Sequence, residues 1–515
     1  MLIGDMIAIH GRKYPKKTAL VYGNRRFTFS ELDERVNRLS QAFVQLGIQP
    51  GDRVAMRAKN CPQFVEFFFA AAKCGAIAVP MNPYLKQKEF EYLIRDSGPK
   101  IVIVSEEDLS FIQSLTIVDL KVENYICLEY DAPGFKSYEK LLAEAKPAES
   151  SIRVEETDPA MIVYTSGTTG RPKGVTLSHK NCLTDARHVV MEMLLEDNHI
   201  LMLIFPLFHS AAISIVFRTY YIGATLVMGN STDPGEILRT MERGKVTDII
   251  IVPTLLIALC NTPGVRNYDL TSLQLIVYGA AIMPVEQLKR AMDIFKCNFM
   301  NGYGTTEAAP TISVLKPPEH KIALADESHR EMLASCGKAI VGVETKVVGP
   351  DDREVAPGEL GELCARGENV MTGYWGKPED TRIALRNGWL HTGDLVRMDE
   401  EGYIYIVDRL KDIIISGGEN IASREVEEVL YSHSAIMEAA VIGVPDPKWG
   451  EAIKAVVVLK ENTSITEKEL IDFCKERLAS FKKPKSVDFV KALPKNPQGK
   501  IQKNELRKLH RGEKI

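Results

Sequence analysis

The chain has 515 residues, 45% of them hydrophobic and 26% charged, with a formal net charge of −4 at pH 7. That length exceeds what one hydrophobic core serves and implies roughly two to four packing units. The slight acidic excess gives no field for nucleic acid, so a small-molecule substrate fits better. The nine cysteines, scattered from Cys61 to Cys474 without a CxxC pair, fit reduced thiols in a cytoplasmic setting without structural zinc.

In chain order, the opening Met1 to His10 carries an early acid and no basic start, which makes a poor secretory signal. Ser30 reads as a helix N-cap. Leu32, Val36, Leu39, Phe43 and Leu46 recur at helical spacing, and Gly47 stands where a helix-ending glycine belongs. Arg53 to Arg57 reads as a strand. Strand patterns return at Ile101 to Val104, at Asp248 to Val252 ahead of a helix-like Leu255 to Cys260, and at Leu275 to Val277. The longest apolar stretch, Leu201 to Phe217, is broken by Pro206 and His209 and falls short of the roughly 20 residues of a spanning helix. No transmembrane segment is expected.

This alternation of helix and strand favours parallel sheets covered on both faces, as in two doubly wound α/β subdomains. From about Ser335 the texture becomes strand-rich, with turn signals at Gly349 to Asp352, Pro357-Gly358 and Glu400 to Gly402, which suggests a β-barrel-like subdomain. Beyond Tyr403 to Val407, a strand at Ile413 to Ile415, a helix from Ser423 to Tyr431, strands near Ala439 to Val444 and Ala455 to Leu459, and a helix from Thr466 to Leu478 make a small α+β C-terminal domain of about 100 residues.

The segment Tyr164-Thr-Ser-Gly-Thr-Thr-Gly-Arg-Pro-Lys-Gly-Val175 follows an apolar run and carries hydroxyls at Tyr164, Thr165, Ser166, Thr168 and Thr169, glycines at 167, 170 and 174, and Lys173. Glycine lets backbone N–H groups turn inward, while hydroxyls and a lysine add donors that phosphate oxygens can share. The spacing is not that of a Walker loop, since Pro172 stands where the second glycine should be and Gly174 follows Lys173 where Ser or Thr is needed.

This run resembles the phosphate-binding loop of the AMP-forming, adenylate-forming superfamily of acyl-CoA synthetases, luciferase-like enzymes and peptide-synthetase adenylation domains. Tyr278 to Ala281, Asn301 to Glu307, Trp389 to Asp394, Asp408 to Asp412, Ser416 to Asn420 and Pro494 to Lys500 follow in that family's order, over nearly the whole chain. The resemblance implies ATP, Mg²⁺ and coenzyme A as co-substrates and cofactor, and a division into an N-terminal domain at 1–408, a hinge at 409–411 and a mobile C-terminal domain at 412–515.

Lys500 would then be the catalytic cation, neutralising the transferring phosphoryl group. Thr165, Ser166, Gly167, Thr168, Thr169, Gly170 and Lys173 would hold phosphates. Gly279, Ala280, Ala281, Asn301, Gly302, Tyr303 and Gly304 would surround the adenine, with Thr306 at the α-phosphate and Glu307, with Thr306, at the metal. Asp394 would accept from the ribose hydroxyls, Arg409 would reach ribose or phosphate, and Lys411 would be the pivot. Gly417, Gly418 and Trp449 would line the path of the coenzyme A arm. His209, in Pro206-Leu-Phe-His-Ser210, borders the acyl pocket as a catalytic-site candidate, and a satisfied interior histidine is the equal alternative. Ala211 to Phe217 would continue an apolar wall.

No acid lies between Leu201 and Phe217, so the carboxylate that would pair with the ammonium group of an amino acid is missing. An apolar acid, fatty or aromatic, fits best. The expectation is a carboxylic acid:CoA ligase that forms acyl-AMP and pyrophosphate, then acyl-CoA and AMP. An adenylation enzyme loading a carrier-protein pantetheine, a luciferase-like oxygenase and a non-catalytic nucleotide-binding regulator would share the motifs. The oligomeric state, monomer or homodimer, is open at this stage.

Overall fold

The computed structural model describes residues 1–114, 121–165, 171–229, 231–281, 283–416, 419–495 and 501–510. These pack into two compact units, one of residues 1–345 and 365–391 and the other of residues 346–364 and 392–515. The fold is mixed α/β, as the alternating sequence pattern predicts. Among the described residues no helix is long and apolar enough to cross a membrane.

The first unit is built on two sheets. In the nine-stranded sheet the order is Lys338–Ala339, Thr311–Leu315, Asn298–Gly304, Leu275–Gly279, Asp248–Ile251, Ile200–Leu203, Thr225–Met228, Thr18–Tyr22 and Arg25–Thr28. Its six central strands run parallel, and the outer ones turn antiparallel. In the eight-stranded sheet the order is Gly373–Tyr374, Lys173–Ser178, Pro159–Thr165, Ile77–Met81, Arg53–Arg57, Ile101–Val104, Asn124–Cys127 and Lys136–Ser137. Parallel pairing runs from Pro159–Thr165 onward, whereas Lys173–Ser178 folds back antiparallel as the second arm of a hairpin.

One core joins these sheets. Val54 and Met56 face it, with Leu201, Leu203 and Val277 from the other sheet, while the alternate residue Ala55 joins a separate core on the opposite face with Ile77 and Val102. Between the sheets, the phenylalanine-rich helix Pro62–Lys73 meets helix Ser210–Ile222, and Phe69 lies edge-on to Phe217 and Tyr220 with ring centroids 5.9 and 5.5 Å apart.

The amphipathic helix Phe29–Gln45 starts earlier than the sequence pattern suggests. Its cap is Thr28 rather than Ser30: the Thr28 hydroxyl accepts from the Glu31 N–H at 3.2 Å, and the Thr28 N–H donates back to the Glu31 carboxylate at 2.8 Å. This reciprocal box, worth about 1 kcal/mol, satisfies two N–H groups that Ser30 could not serve together. Gly47, just past the end, has φ +89°, as a helix-terminating glycine requires.

Strands Leu390–Met398 and Ile404–Arg409 pair antiparallel with Asp394 opposite Arg409, in a four-stranded sheet that also includes Val343–Val348 and Leu360–Gly367, three of whose strands are divided by the unit boundaries at 345, 364 and 391. A five-stranded sheet follows, ordered Glu419–Ile421, Ile414–Ser416, Gly450–Leu459 and Ile436–Asp446, with Ser486–Phe489 parallel to Gly450–Leu459. The long central hairpin alternates its side chains between two small cores, Val441 and Val457 on one face and Ile442 and Val456 on the other. Helix Ser423–Tyr431 has the bounds read from sequence, and Glu467–Lys475 begins one residue past its cap, Thr466.

Candidate functional site

Four neighbouring parallel strands of the nine-stranded sheet end on one edge, and the segments that leave them carry most of the candidate residues. Ile200–Leu203 leads to His209 and helix Ser210–Ile222, Asp248–Ile251 to helix Pro253–Asn261, Leu275–Gly279 to Ala280 and Ala281, and Asn298–Gly304 to Thr306 and Glu307. In open α/β sheets the carboxyl ends of the strands are where ligands sit.

Close approach of the strands explains the small residues there. Gly279 pairs with Gly302, and a Cβ on Gly279 would stand 2.2 Å from the Gly302 carbonyl oxygen. A Cβ on Gly304 would meet the Pro310 oxygen at 1.7 Å, and Ala280 adopts φ +64°. These positions shape a tight backbone surface. Asn301 differs, because its side-chain N–H donates to the Ser335 carbonyl at 3.1 Å and is committed to the backbone. Tyr303 is partly buried and packs against the core.

The Thr306 hydroxyl is 3.0 Å from that of Ser210, the first residue of helix Ser210–Ile222, and so ties the segment after one strand to the segment after another. Next to Ser210, His209 is the helix N-cap; its ring lies against Phe208, and burial pushes its pKa down to about 3, so it is neutral near pH 7. The apolar wall expected beyond it is only partly present. Ala212, Ile213, Ile215, Val216 and Phe217 are sealed in the core, because this helix is sandwiched between the sheets, and Phe205, Pro206, His209 and Ala211 keep some exposure.

Glu307 receives a hydroxyl on each carboxylate oxygen: Thr305 donates to one, and Tyr374 donates to the other at 2.9 Å. Its carbonyl accepts from the Met371 N–H at 2.8 Å. Burial first, then the Glu307 charge, raises the pKa of Tyr374 and keeps that phenol a donor. Among the described residues no three metal-ligating side chains cluster. A single carboxylate suits Mg²⁺, which keeps waters and substrate phosphates as its other ligands.

The hairpin between Pro159–Thr165 and Lys173–Ser178 sets Thr165 opposite Lys173. Ser166, Gly167, Thr168, Thr169 and Gly170 lie outside the described residues. Lys173 pairs with the Asp380 carboxylate and lies over Tyr374, 5.0 Å from the ring centroid. One tyrosine therefore touches both the candidate phosphate lysine and the candidate metal carboxylate. Thr305 and Ser210 lie within the quoted motifs but carry no role there, whereas Tyr374 and Asp380 lie outside every motif, although the glycine- and aromatic-rich Gly373-Tyr-Trp-Gly376 was a usable signal.

In the second unit Asp394 is 2% exposed and pairs with Arg409, Oδ1 to Nε 2.5 Å. Asp408 is buried and caps a helix: it accepts from the Ser423 N–H and hydroxyl, both at 2.6 Å, and from the Arg424 N–H at 3.3 Å. Lys503 donates to the same Ser423 hydroxyl at 2.6 Å and pairs with Glu427 at 2.8 Å. Lys411 lies in the short turn Leu410–Asp412, and its side chain is outside the described residues, as are Gly417, Gly418 and Lys500. Trp449, 40% exposed, lies on the turn after Ile436–Asp446 with the Lys448 and Lys485 ammonium groups 4.7 and 5.5 Å from its ring centroid. It is a surface aromatic between two cations rather than a core residue.

Residues 7–375 match the family described as AMP-binding enzyme, and residues 425–500 match the AMP-binding enzyme C-terminal domain. The chain is 38% identical to a feruloyl-CoA synthase of Amycolatopsis sp over 98% of each chain. It is 35% identical to a long-chain-fatty-acid–CoA ligase of Bacillus subtilis (strain 168), over 96% of this chain and 92% of the relative. Among solved structures, an anthranilate CoA ligase in complex with anthranoyl-AMP superposes with a TM-score of 0.89 at 28% identity, over 99% of this chain and 97% of that one. The chain belongs to the AMP-binding enzyme family, within the adenylate-forming superfamily.

Proposed function

We propose that this AMP-forming acid–CoA ligase activates an apolar carboxylic acid, fatty or aromatic, as its acyl-AMP and then transfers the acyl group to coenzyme A. In the first step a carboxylate oxygen attacks the α-phosphorus of ATP, the bond to the bridging oxygen breaks, and pyrophosphate leaves. In the second the thiolate attacks the acyl carbonyl and AMP leaves.

The observation that carries this reading is the meeting of Lys173, Tyr374 and Glu307 beside the glycine-lined strand ends. Lys173 supplies positive charge to the phosphate chain, and Thr306 orients the α-phosphate. Tyr374 and Thr305 fix the Glu307 carboxylate. Mg²⁺ held by Glu307 would neutralise phosphate charge and leave the phosphoryl group more open to attack. Asp394 and Arg409 receive the ribose. Lys500, on a segment that turns about Lys411, neutralises the transferring phosphoryl group and withdraws before the thiol arrives, with Gly417, Gly418 and Trp449 along the thiol's path.

An apolar acid is favoured because the segment around His209 offers Phe205, Pro206 and Ala211 and no carboxylate. The two curated relatives above are named for feruloyl and long-chain fatty acyl substrates. The test is pyrophosphate exchange over a panel of hydroxycinnamic, benzoic and fatty acids, followed by AMP release with free coenzyme A as the only thiol. Turnover with an apolar acid and free coenzyme A is expected. Exchange without coenzyme A-dependent release would point to a carrier-protein thiol as acceptor.

A further inference from the structure

Lys173 and Asp380 reach each other by a fixed route. Lys173 opens strand Lys173–Ser178, whose Val175 pairs with Tyr374 on the edge strand. Asp380 lies in helix Pro378–Ala384, and that helix is tied to the edge strand because the Tyr374 N–H donates to the Thr381 hydroxyl at 2.9 Å. The result is an ammonium group paired with a carboxylate on one side and seated on a ring face on another. The other charges of this segment are engaged elsewhere, Lys377 with Asp96 at 3.0 Å and Arg382 with Glu379 at 2.6 Å. The Lys173 side chain is 13% exposed and that of Asp380 is 35% exposed, so the carboxylate can leave toward water more easily than the ammonium can.

A lysine has three donors, and a phosphate chain that takes them competes with any carboxylate already using them. We propose that Asp380 is an exchangeable counter-ion for Lys173, displaced by the nucleotide's phosphates, and that this exchange sets the affinity for ATP. The inference rests on the reading of Lys173 as a phosphate contact. Tyr374 keeps the ammonium on station whichever anion it serves, since the ring face attracts the cation without consuming an N–H donor. The carboxylate also keeps the lysine from being stranded as an unpaired, largely covered charge once the phosphates depart.

The test is calorimetric binding of the non-cleavable analogue α,β-methylene-ATP to the full chain, with no acid present, for four proteins: wild type, Asp380→Asn, Lys173→Met and the double variant. Asp380→Asn is expected to tighten binding about 1.5- to 5-fold, the range that follows from losing a partly exposed ion pair. A gain in affinity is an outcome that structural damage does not produce. Lys173→Met is expected to weaken binding, and in that background Asp380→Asn should change little. If Lys173→Met weakens binding while Asp380→Asn alone does not tighten it, the exchange is wrong and the phosphate role of Lys173 stands. Equal tightening with and without Lys173 also overturns the exchange, since the effect would then be simple repulsion of the anion. Should Lys173→Met leave the affinity unchanged, the phosphate reading of that lysine fails and the inference with it.

Discussion

Arg409 sets its Nε 2.5 Å from Oδ1 of Asp394 across two antiparallel strands whose register makes the residues direct partners. The Asp394 carboxylate is almost wholly covered, so it is already oriented before any ligand arrives. If it receives the ribose, Asp394→Asn should raise the KM for ATP about 10-fold, the cost of weakening a charge-assisted hydrogen bond. Pyrophosphate exchange over a range of ATP concentrations checks this. An unchanged KM would assign the pair to the fold alone.

Gly279 and Gly302 are paired in register, yet their tolerance to substitution should differ. A Cβ on Gly279 lands 2.2 Å from a backbone oxygen, whereas one on Gly302 finds Val277 at 3.7 Å, an ordinary contact. Gly279→Ala is therefore expected to destabilise the first unit by about 1–3 kcal/mol, as overpacking does, and Gly302→Ala by much less. Urea unfolding followed by fluorescence distinguishes them.

Asp408 closes the start of helix Ser423–Tyr431 from a distant strand, accepting two N–H groups and a hydroxyl. Asp408→Ala should cost about 1–3 kcal/mol, because these buried donors lose their acceptor. Hydrogen exchange should show the loss as faster opening of that helix, with Asp408→Asn intermediate.

Acid should destabilise the chain through buried histidines. Burial lowers His209 from 6.5 to about 3, and His179 and His320 to about 4. A lowered folded pKa means that the unfolded chain takes up the proton first. Stability is complete above about pH 6.5 and falls as pH drops toward 4 and then 3, by at most about 2 kcal/mol per histidine at pH 5. Asp185 acts in the opposite sense: burial raises it from 3.8 to about 6, so its contribution is present below about pH 3.8 and fades as pH rises through 6. Urea midpoints from pH 7 to 5 should fall overall, and His209→Asn should flatten the slope.

Much of this architecture is legible in the chain because local and tertiary preferences agree. Val54 to Met56, set between two arginines, and Ile101 to Val104 are apolar runs too short for a helix, and Arg53–Arg57 and Ile101–Val104 are strands with the bounds read from sequence. The Thr28 cap was hidden because Ser30 is also a good cap, and only the reciprocal Glu31 bond decides between them. Ala212 to Phe217 looks like a pocket wall in sequence because core and pocket draw on the same residue types, and burial between two sheets separates them. Asp380 acts through a contact with a residue 207 positions away, so no spacing rule could find it, and the capping role of Asp408, itself in a quoted motif, shows only once its strand meets Ser423.

The central claim is that Lys500 serves acyl-AMP formation and is spared in thioester formation. The direct measurement is Lys500→Ala assayed separately in the two half-reactions, with pyrophosphate exchange for the first and acyl-CoA formation from supplied acyl-AMP for the second. The account predicts a loss of about 10²- to 10³-fold in the first, equivalent to about 3–4 kcal/mol, with the second nearly intact. Equal loss in both, or none in the first, would contradict it.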